Sequence, residues 1–362
     1  MVIGTLGQDA AAGSEAKRDW RIPAWLDAVL AVVVATGLCG LILLLTGHDP
    51  VSAYVELVRR TMLRPAGIEE SVVRAVPILI AAAAVLIAVR AGLWNIGVDG
   101  QVLAGAFAAS VVGSFLDGID IGLMWLAAAV AGVMAGALWA CIPALLRARF
   151  EINEIVSSIM LNYVAVALSA WLVKGPFRDE SLVAPQTPLI ARERRLPDVG
   201  GVNVHVGAIV ALVIVGVLAF VMWRMVIGFE LRAVGENSRA AWRAVIPVRR
   251  IWAGAFIASG GIAALAGVND ILATKGTFQA EWNPEYGLSA FVVVFLARRS
   301  VSGLIPAALF IGALAYGADV MPRAADIPPS FFFLYEGVLL GLLAVPAVLR
   351  AAQHRLSIGR GR

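Results

Sequence analysis

Gly228-Phe-Glu-Leu-Arg-Ala-Val-Gly-Glu-Asn-Ser-Arg-Ala-Ala-Trp-Arg-Ala-Val-Ile-Pro247 is a polar, arginine-bearing segment that interrupts a long series of apolar runs. Its pattern predicts a compact amphipathic helix with a Gly-Glu-Asn start, lying between two membrane spans on the arginine-rich side. A membrane protein that only conducts or anchors has little need for such a helix. The segment therefore indicates a protein that is driven by a partner on that side of the membrane.

The composition decides the class of protein. Of the 362 residues, 60% are hydrophobic and 15% are charged, which excludes a soluble domain of this length. Apolar runs of roughly 20 residues, enough to cross about 30 Å of hydrocarbon as a helix, recur along the chain. The sequence therefore predicts an all-α, polytopic membrane protein.

Ten membrane spans are predicted from these runs. Their approximate ranges are 28–46, 71–89, 95–116, 121–146, 154–173, 205–227, 251–273, 286–297, 303–319 and 329–349. The eighth is short for a span, so it either starts earlier, near Phe278, or runs as a broken helix. Broken helices are tolerated at membrane depth only where protein or a cavity satisfies their backbone groups.

The basic residues set the orientation, because loops rich in Lys and Arg stay on the cytoplasmic side. One set of alternate loops holds 18 of the 29 basic residues. These 18 are Lys17, Arg18, Arg21, Arg90, Arg147, Arg149, Arg224, Arg232, Arg239, Arg243, Arg249, Arg250, Arg298, Arg299, Arg350, Arg355, Arg360 and Arg362. Both termini are therefore predicted to be cytoplasmic, with an N-terminal segment 1–27, a transmembrane domain 28–349 and a tail 350–362. The net charge of +4 is mostly this topology signal and gives no reason to expect a nucleic-acid partner.

The search for catalytic chemistry in the sequence is mostly negative. His48, His205 and His354 are far apart and lack metal-ligand spacing, and no nucleophile-elbow pattern carries a suitable serine. No Gly-x-x-x-x-Gly-Lys-Ser/Thr phosphate loop occurs, so the chain cannot itself be the ATP-hydrolysing subunit of a pump. We therefore expect no catalytic residue, no metal site and no cofactor on this chain. If ATP drives the protein, another polypeptide binds the ATP.

The first of three unusual stretches is Gly92-Leu-Trp-Asn-Ile-Gly-Val-Asp-Gly-Gln-Val-Leu-Ala-Gly-Ala106. Its glycines give backbone freedom, while Asn95, Asp99 and Gln101 are costly near hydrocarbon unless they face partners or a wet cavity. A broken helix that lines a pathway fits both features. A tight cytoplasmic turn followed by a glycine-mediated helix contact fits them as well.

The second stretch is Phe150-Glu-Ile-Asn-Glu-Ile-Val-Ser-Ser-Ile-Met-Leu-Asn-Tyr-Val164. Asn153 is a candidate helix N-cap, with Glu154 near the positive end of the helix dipole, and capping alone would explain both residues. Asn162 and Tyr163 lie deeper in the span, where an amide and a phenol could contact a polar ligand.

The third stretch is Glu281-Trp-Asn-Pro-Glu-Tyr-Gly-Leu-Ser-Ala-Phe-Val-Val-Val-Phe-Leu-Ala-Arg-Arg-Ser-Val-Ser-Gly-Leu304. Its proline and glycine predict a bent approach from the outer face into a short span that ends at an arginine pair. The chemistry of a helix start would account for much of this pattern without any ligand.

Together these stretches resemble the integral-membrane permeases of bacterial ABC importers in the branched-chain amino acid, ribose and nucleoside superfamily. The nearest resemblance is to the simple-sugar and nucleoside permeases that work with basic-membrane-protein-type binding lipoproteins. Leu93-Trp-Asn-Ile-Gly-Val-Asp-Gly-Gln101 looks like that group's Leu-Phe/Trp-Asn-Ile-Gly-Val/Ala-Glu-Gly-Gln motif. Asn153-Glu-Ile-Val-Ser-Ser-Ile-Met-Leu-Asn-Tyr163 is similar to its Asn-Glu-Val-Ile/Val-Ser/Thr-Ser/Thr-Ile/Leu-Met-Leu-Asn-Tyr motif. Leu231-Arg-Ala-Val-Gly-Glu-Asn-Ser-Arg-Ala-Ala241 looks like the segment that docks into the ATPase, and the whole resemblance covers about residues 70–345.

Two departures from the family pattern stand out. Asp99 replaces the usual Glu and keeps the carboxylate. In the third stretch the family often carries Gly-Phe-x-Gly-Ile-Ala-Val-Ala-Leu-Leu-Gly, whereas this chain carries the aromatic residues Phe291 and Phe295. Those rings would change the packing of the helix or the width of the path.

The resemblance implies a permease subunit that forms the translocation path of an ATP-driven importer for a nucleoside or a related simple sugar. It implies a multi-pass location in the bacterial cytoplasmic (inner) membrane, a lipid environment and a cytoplasmic coupling helix. The implied protein partners are an ABC ATPase subunit that binds ATP and Mg, a second permease, identical or paralogous, and a substrate-binding lipoprotein or periplasmic protein.

The resemblance also implies which residues of this chain contact the ATPase and which contact the substrate, at the positions that match the family's motifs. Within the coupling segment 228–250, the ATPase-coupling residues are expected to be Gly235, Glu236, Asn237, Ala240 and Ala241. Asn237 or Ser238 would cap the short helix, and the two alanines would allow close packing in a groove. The expected substrate-path residues are Trp94, Asn95, Asp99, Gln101, Asn162 and Tyr163.

The main alternative is a gradient-driven secondary transporter or channel. In that case Asp99, Asp270 and Glu336 would carry protons or cations through the membrane. Such a protein would take up its substrate without an ATPase. A membrane scaffold that transports nothing is a further alternative, in which the polar groups of the first two stretches would have no ligand-dependent effect.

Overall fold

The computed structural model describes the backbone of residues 24–116 and 118–359, and the side chains of residues 26–116 and 118–345. The predicted N-terminal segment 1–27 therefore lies mostly outside the described residues. The predicted tail 350–362 is described for its backbone as far as Gly359, as part of a helix, but not for its side chains. The basic side chains assigned to the two segments, and that of His354, lie outside the described residues.

Within this part of the chain the structure is almost entirely helical. The helices are α1 (Ala24–Leu45), α2 (Pro50–Thr61), α3 (Pro65–Arg90), α4 (Val98–Phe115), α5 (Ile121–Phe150), α6 (Glu154–Lys174), α7 (Gly207–Arg224), α8 (Val226–Glu236), α9 (Ser238–Arg243), α10 (Val248–Asn269), α11 (Tyr286–Leu296), α12 (Val301–Ala325) and α13 (Ser330–Gly359). A 3₁₀ turn covers Arg192–Arg194, and α10 continues as a π-helical turn, Asp270–Lys275. The described residues contain isolated β-bridges but no strand, which confirms the all-α prediction.

Eight helices in the described part are long and apolar enough to cross a membrane. They correspond to eight of the ten predicted spans. The other two, 286–297 and 329–349, correspond to shorter described apolar stretches, Tyr286–Leu296 and Ser330–Val345. The helix α11 has only 11 residues, so the eighth predicted span is indeed a short helix.

The helix α2 was not predicted, because charged side chains interrupt its apolar residues and the segment resembles a loop. Asp49 caps it by accepting hydrogen bonds from the N–H groups of Val51 (3.0 Å) and Ser52 (3.2 Å). The bond from Val51 is the main reason that the pKa of Asp49 is lowered. Pro50 occupies the first position, where a missing N–H costs nothing. This helix packs against α12 near one end of the bundle.

The centre of the bundle is α10, which packs against α3, α4 and α5. Small residues let these helices touch backbone to backbone. A Cβ added at Gly260 would collide with the methyl of Ala140 and lie 2.7 Å from the carbonyl oxygen of Gly136. A Cβ at Gly105 would likewise collide with the backbone of Ala264. Close approach of this kind replaces the hydrophobic effect as the driving force for helix association in lipid.

Contacts between loops show which helix ends lie together. At one end, the Arg90 guanidinium donates to the Arg299 carbonyl (2.5 Å), and ion pairs join Arg147 to Glu154 (3.3 Å), Arg249 to Glu151 (3.0 Å) and Arg298 to Asp27 (3.0 Å). At the other end, Arg74 pairs with Asp319 (2.7 Å), Lys174 with Glu281 (3.8 Å) and the Asn203 amide with Glu69 (3.0 Å). Loops that the sequence assigns to the same side of the membrane therefore lie together in the structure. We call the first end the basic end and the second the opposite end; that the basic end faces the cytoplasm stays a prediction.

The glycine contacts of α10 lead to a stability prediction. Gly260→Ala should lower the melting temperature of the detergent-solubilised protein, because overpacking a close helix contact typically costs about 1–3 kcal/mol. Gly254 lies on the same helix with open space around it. Gly254→Ala should leave the melting temperature unchanged or raise it, since Ala is the better helix former. Equal melting temperatures for the two variants would show that the backbone contact at Gly260 is not what holds these helices.

Candidate functional site

The first stretch forms a break between two helices at the basic end. The helix α3 ends at Arg90 and α4 begins at Val98, so residues 91–97 run as irregular backbone. Gly92 has a φ of +77°, a conformation that favours glycine. A Cβ at Gly92 would lie 3.1 Å from the Cα of Gly235, and one at Gly235 would collide with the Arg90 carbonyl. The break therefore rests directly on α8, which is part of the coupling segment.

Two amides of the first stretch bind each other inside this break. The Asn95 Nδ2 donates to the Gln101 Oε1 (2.9 Å), and the Gln101 Nε2 donates back to the Asn95 Oδ1 (3.0 Å). Asn95 also donates to the Ser259 hydroxyl of α10 (2.9 Å), which in turn donates to the Ala84 carbonyl of α3 (2.7 Å). Both amide side chains are buried. The network thus joins the break to α3, α4 and α10 and gives these amides hydrogen-bond partners, which buried polar groups near hydrocarbon require.

The second stretch joins the same cluster through Asn162 of α6. Its Oδ1 accepts from the N–H of Gly100 (2.9 Å), and its Nδ2 donates to the carbonyl of Ile96 (2.9 Å). Gly100 lies in the first turn of α4, where N–H groups have no partner within the helix. Asn162 thus caps α4 from a neighbouring helix. At the start of α6 itself, Asn153 accepts from the N–H of Ile155 (2.9 Å), which confirms the predicted N-cap.

The third stretch is tied to the first by Asp99. The Asp99 Oδ1 accepts from the N–H of Gly287 in the first turn of α11 (2.7 Å). The residue before that helix, Glu285, has a φ of +53° and supplies no side-chain cap. A Cβ at Gly287 would lie within 2.7–3.0 Å of the Asp99 carboxylate, so glycine is needed there. The carboxylate of α4 therefore serves as the cap of α11.

Two more buried carboxylates meet the same turn of α11. Tyr286 donates to the Oδ2 of Asp270 in the π-helical turn (2.5 Å), and Ser289 donates to the Oε2 of Glu336 in α13 (3.1 Å). The other oxygen of Glu336 is buried and has no hydrogen-bond partner among the described residues. Helix N-termini attract negative charge, so three carboxylates from three elements converge where α11 begins.

The two predicted aromatic residues lie outside the amide cluster. The Trp94 ring stacks on the rings of Phe291 and Phe295, with centroid distances of 5.8 and 5.7 Å, and keeps 40% of its surface exposed. Phe291 and Phe295 therefore pack the break against α11. Tyr163 is 70% exposed on the outer face of α6.

The coupling segment folds into two short helices, α8 and α9, at the basic end. Asn237 caps α9 by accepting from the N–H of Ala240 (3.0 Å), so Asn237 rather than Ser238 is the N-cap. Ala241 is buried against the core of this chain, whereas Gly235, Glu236, Asn237 and Ala240 are exposed.

Sequence reasoning missed the most prominent residues of this surface. Trp242 is 72% exposed and Val245, at a φ of +63°, is 89% exposed. A groove of 850 Å³ beside them is lined by Glu151, Ser238, Arg239, Trp242, Arg243, Pro247, Val248, Arg249, Arg250 and Trp252. A tryptophan inside a short polar segment was the available signal. The role of Ser259 carried no comparable signal, because only the folded chain brings it to Asn95.

Comparisons with known proteins agree with this architecture. The family described as the permease component of branched-chain amino acid transport systems matches residues 67–346. The glucose ABC transporter permease protein of Haloferax volcanii is 34% identical over 336 residues, covering 88% of this chain and 87% of that protein. The guanosine ABC transporter permease protein of Bacillus subtilis is 30% identical, covering 93% and 97%. The nucleoside ABC transporter permease protein of Lactococcus lactis is 27% identical, covering 89% and 91%.

The cap on α11 gives a prediction about Asp99. Asp99→Ala should lower the melting temperature and speed hydrogen exchange in the peptide covering residues 286–296, because an unpaired N–H at Gly287 costs about 1–3 kcal/mol. Asp99→Asn keeps an acceptor oxygen in the same place, so most of the protection should remain. Glu285→Gln, at an exposed neighbouring position, is the control and should change neither quantity. Equal losses for Asp99→Asn and Asp99→Ala would contradict the hydrogen-bond account.

Proposed function

The chain belongs to the family of permease components of branched-chain amino acid transport systems, and from this premise we propose that its ligand is a nucleoside or a related simple sugar. The chain is a transmembrane permease subunit of an ABC importer and contributes to its translocation path. It is a multi-pass protein of the cytoplasmic (inner) membrane. As a permease subunit it is a transport component and not itself an enzyme.

The proposal for the ligand is supported by chemistry that three relatives share. Their names specify glucose, guanosine and nucleosides, all of which contain a hydroxylated ring. Amides with a nearby aromatic ring suit such ligands, because they offer hydrogen-bonding edges and a flat apolar face. Of the six candidate path residues, Trp94 and Tyr163 are accessible as the subunit stands. The amides of Asn95, Gln101 and Asn162 can reach a ligand only after their internal hydrogen bonds rearrange.

The proposal for ATP as the energy source is supported above all by the coupling segment. Its two helices lie at the basic end, where Trp242 of α9 and Val245 just after that helix are exposed and surrounded by arginines. An exposed aromatic anchor within a charged rim is typical of a protein docking surface. We assign this surface to a separate ABC ATPase, which would hold the ATP and Mg that the chain itself has no phosphate loop to bind.

A direct contact can transmit motion from this surface into the bundle. Gly235 at the end of α8 touches the backbone of Arg90 and Gly92, which is the start of the break before α4. Displacement of α8 would therefore move the break and the amide cluster with it. Coupling in the thermodynamic sense requires that the ATPase bind the inward- and outward-open states with different affinity. Gly235 is the residue through which we expect that difference to act.

The remaining partners are inferred from the family. An importer of this kind needs a second permease, identical or paralogous, to complete the path. It also needs a substrate-binding lipoprotein or periplasmic protein to deliver the ligand at the opposite end. The long loop between α6 and α7, residues 175–206, and the loop 276–285 lie at that end and are available for such a contact.

The docking surface yields a test with a matched control. Trp242→Ala should reduce copurification of the ATPase and weaken its binding at least tenfold, since buried aromatic anchors are typically worth 2 kcal/mol or more at interfaces. Trp223, on α7, is similarly exposed but lies outside the coupling segment. Trp223→Ala should leave ATPase binding unchanged. If Trp242→Ala binds the ATPase as tightly as the unaltered chain, the docking surface lies elsewhere.

The decisive experiment is copurification from the native membrane, followed by an ATPase assay with nucleosides, pentoses and the cognate binding protein. We expect an ATPase to be recovered and its turnover to be stimulated by one liganded binding protein, which identifies the ligand. Gradient-driven uptake that persists after ATP depletion, with no ATPase recovered, would contradict the proposal. Asp99, Asp270 and Glu336 would then be the residues to replace.

A further inference from the structure

A polar cavity of 440 Å³ lies at the opposite end, beside the first turn of α11. Its volume is within the range of about 300–1,000 Å³ that is usual for small-molecule sites. It is bounded by α3, the π-helical turn, α11, α12 and α13. Its lining residues include Arg74, Asp270, Lys275, Trp282, Tyr286 and Asp319.

The helices around this cavity are interrupted where they meet it. Pro77 in α3 has no N–H to give to the Val73 carbonyl, and both residues line the cavity. Pro322 in α12 likewise leaves the carbonyl of Ala318 without its usual donor, and Ala318 is a lining residue. The π-helical turn Asp270–Lys275 forms a third side. Irregular backbone at membrane depth is tolerated where it lines a cavity, and π-helical turns are frequent at functional sites.

The cavity is lined by three acidic side chains, Glu70, Asp270 and Asp319, and two basic ones, Arg74 and Lys275. Arg74 and Asp319 form an ion pair at 2.7 Å, with about half of each side chain exposed. The Lys275 ammonium lies 5.1 Å from the centroid of the Trp282 ring. The Tyr286 hydroxyl donates to the Oδ2 of Asp270. Among the described residues, none donates a hydrogen bond to the Oδ1 of the same carboxylate. That oxygen belongs to a buried carboxylate on the cavity wall and is available to accept from a ligand.

This set of groups favours a neutral, hydroxyl-rich ring. A free carboxylate oxygen accepts hydrogen bonds from hydroxyls, and the flat rings of Trp282 and Tyr286 can stack on a sugar face or a base. Three carboxylates and two basic side chains line the cavity, so a cation such as sodium is the competing ligand that the test must include.

We propose that this cavity binds the vicinal diol of a furanose or pyranose ring through Asp270, with Trp282 and Tyr286 stacking against the ligand. The inference rests on the proposed function, whose ligand it locates within one subunit. The diol belongs either to the ribose of a nucleoside or to a free sugar. The site lies at the end where a binding protein would deliver the ligand, about 33 Å from the coupling segment along the 22 residues of Val248–Asn269 at 1.5 Å per residue.

Protection of an introduced thiol tests the site directly. Thr274 lines the cavity and is exposed, so Thr274→Cys in the complete transporter, with Cys141→Ala, should react with a membrane-impermeant thiol reagent. Guanosine, ribose and glucose are the probes. At least one should slow labelling in a concentration-dependent way. Glu281→Cys, whose position is 90% exposed in the neighbouring loop, should label without protection.

A variant of Asp270 and a ligand analogue without the diol test whether these two groups contact each other. Adding Asp270→Asn to Thr274→Cys should raise the half-protecting concentration at least tenfold, because the carboxylate acceptor is lost, whereas adding Glu281→Gln should not change it. Protection by guanosine but not by 2′,3′-dideoxyguanosine would support the diol contact and indicate a nucleoside. Protection by ribose or glucose would support it and indicate a free sugar. Circular dichroism and size-exclusion profiles establish that each variant is folded.

Results that would contradict the diol site can be told apart from results that would contradict the importer function. Equal protection by dideoxyguanosine, or protection by sodium alone, would exclude a diol site. Uptake of ligand by the reconstituted transporter without any protection at Thr274→Cys would place the site elsewhere and leave the importer function standing. A transporter that hydrolyses no ATP and takes up none of the probes would overturn both.

Discussion

The structure depends on how the short helix α11 is held in the bundle. Its 11 residues extend only about 16 Å at 1.5 Å per residue, which is too short to cross about 30 Å of hydrocarbon. One end of this helix must therefore begin at membrane depth, where unpaired N–H groups are expensive. Asp99 meets that requirement by accepting from the N–H of Gly287. Asp270 and Glu336 hold the same turn through its side chains, by accepting from the hydroxyls of Tyr286 and Ser289. Removing any of these acceptors would affect α11 and the helix that supplies the carboxylate.

This arrangement also bears on two interpretations of the buried acids. A row of intramembrane carboxylates is the usual sign of a proton or cation path. Here each carboxylate has a hydrogen-bonded partner in α11. Asp99, which caps that helix, is poorly suited to release and rebind a proton during each cycle. This favours the proposed supply of free energy by a partner at the exposed surface of α8 and α9.

The sequence predicted the helical class, the positions of most spans and the short eighth helix, because apolar run length is a local property. It also identified four residues, Asn95, Asp99, Gln101 and Asn162, that the folded chain gathers in one region. It did not show that these amides bind each other, since Ser259 and Ala84 complete the network from distant parts of the sequence. The amphipathic helix α2 was not predicted for a different reason, because its charged residues interrupt the apolar pattern that identifies a span.

The contacts between the two ends of the bundle are continuous. Tyr286 lines the cavity at the opposite end, and the next residue, Gly287, is bound to Asp99 in the first turn of α4. That turn follows the break whose Gly92 touches Gly235 of the coupling segment. Each step is a hydrogen bond or a backbone contact between rigid helices, so displacement at one site is constrained at the next. Such contiguity allows coupling but does not by itself establish it, because coupling requires two discrete arrangements that both sites bias. The amide cluster is the element most suited to have two arrangements, since its hydrogen bonds can exchange partners without leaving a buried polar group unpaired.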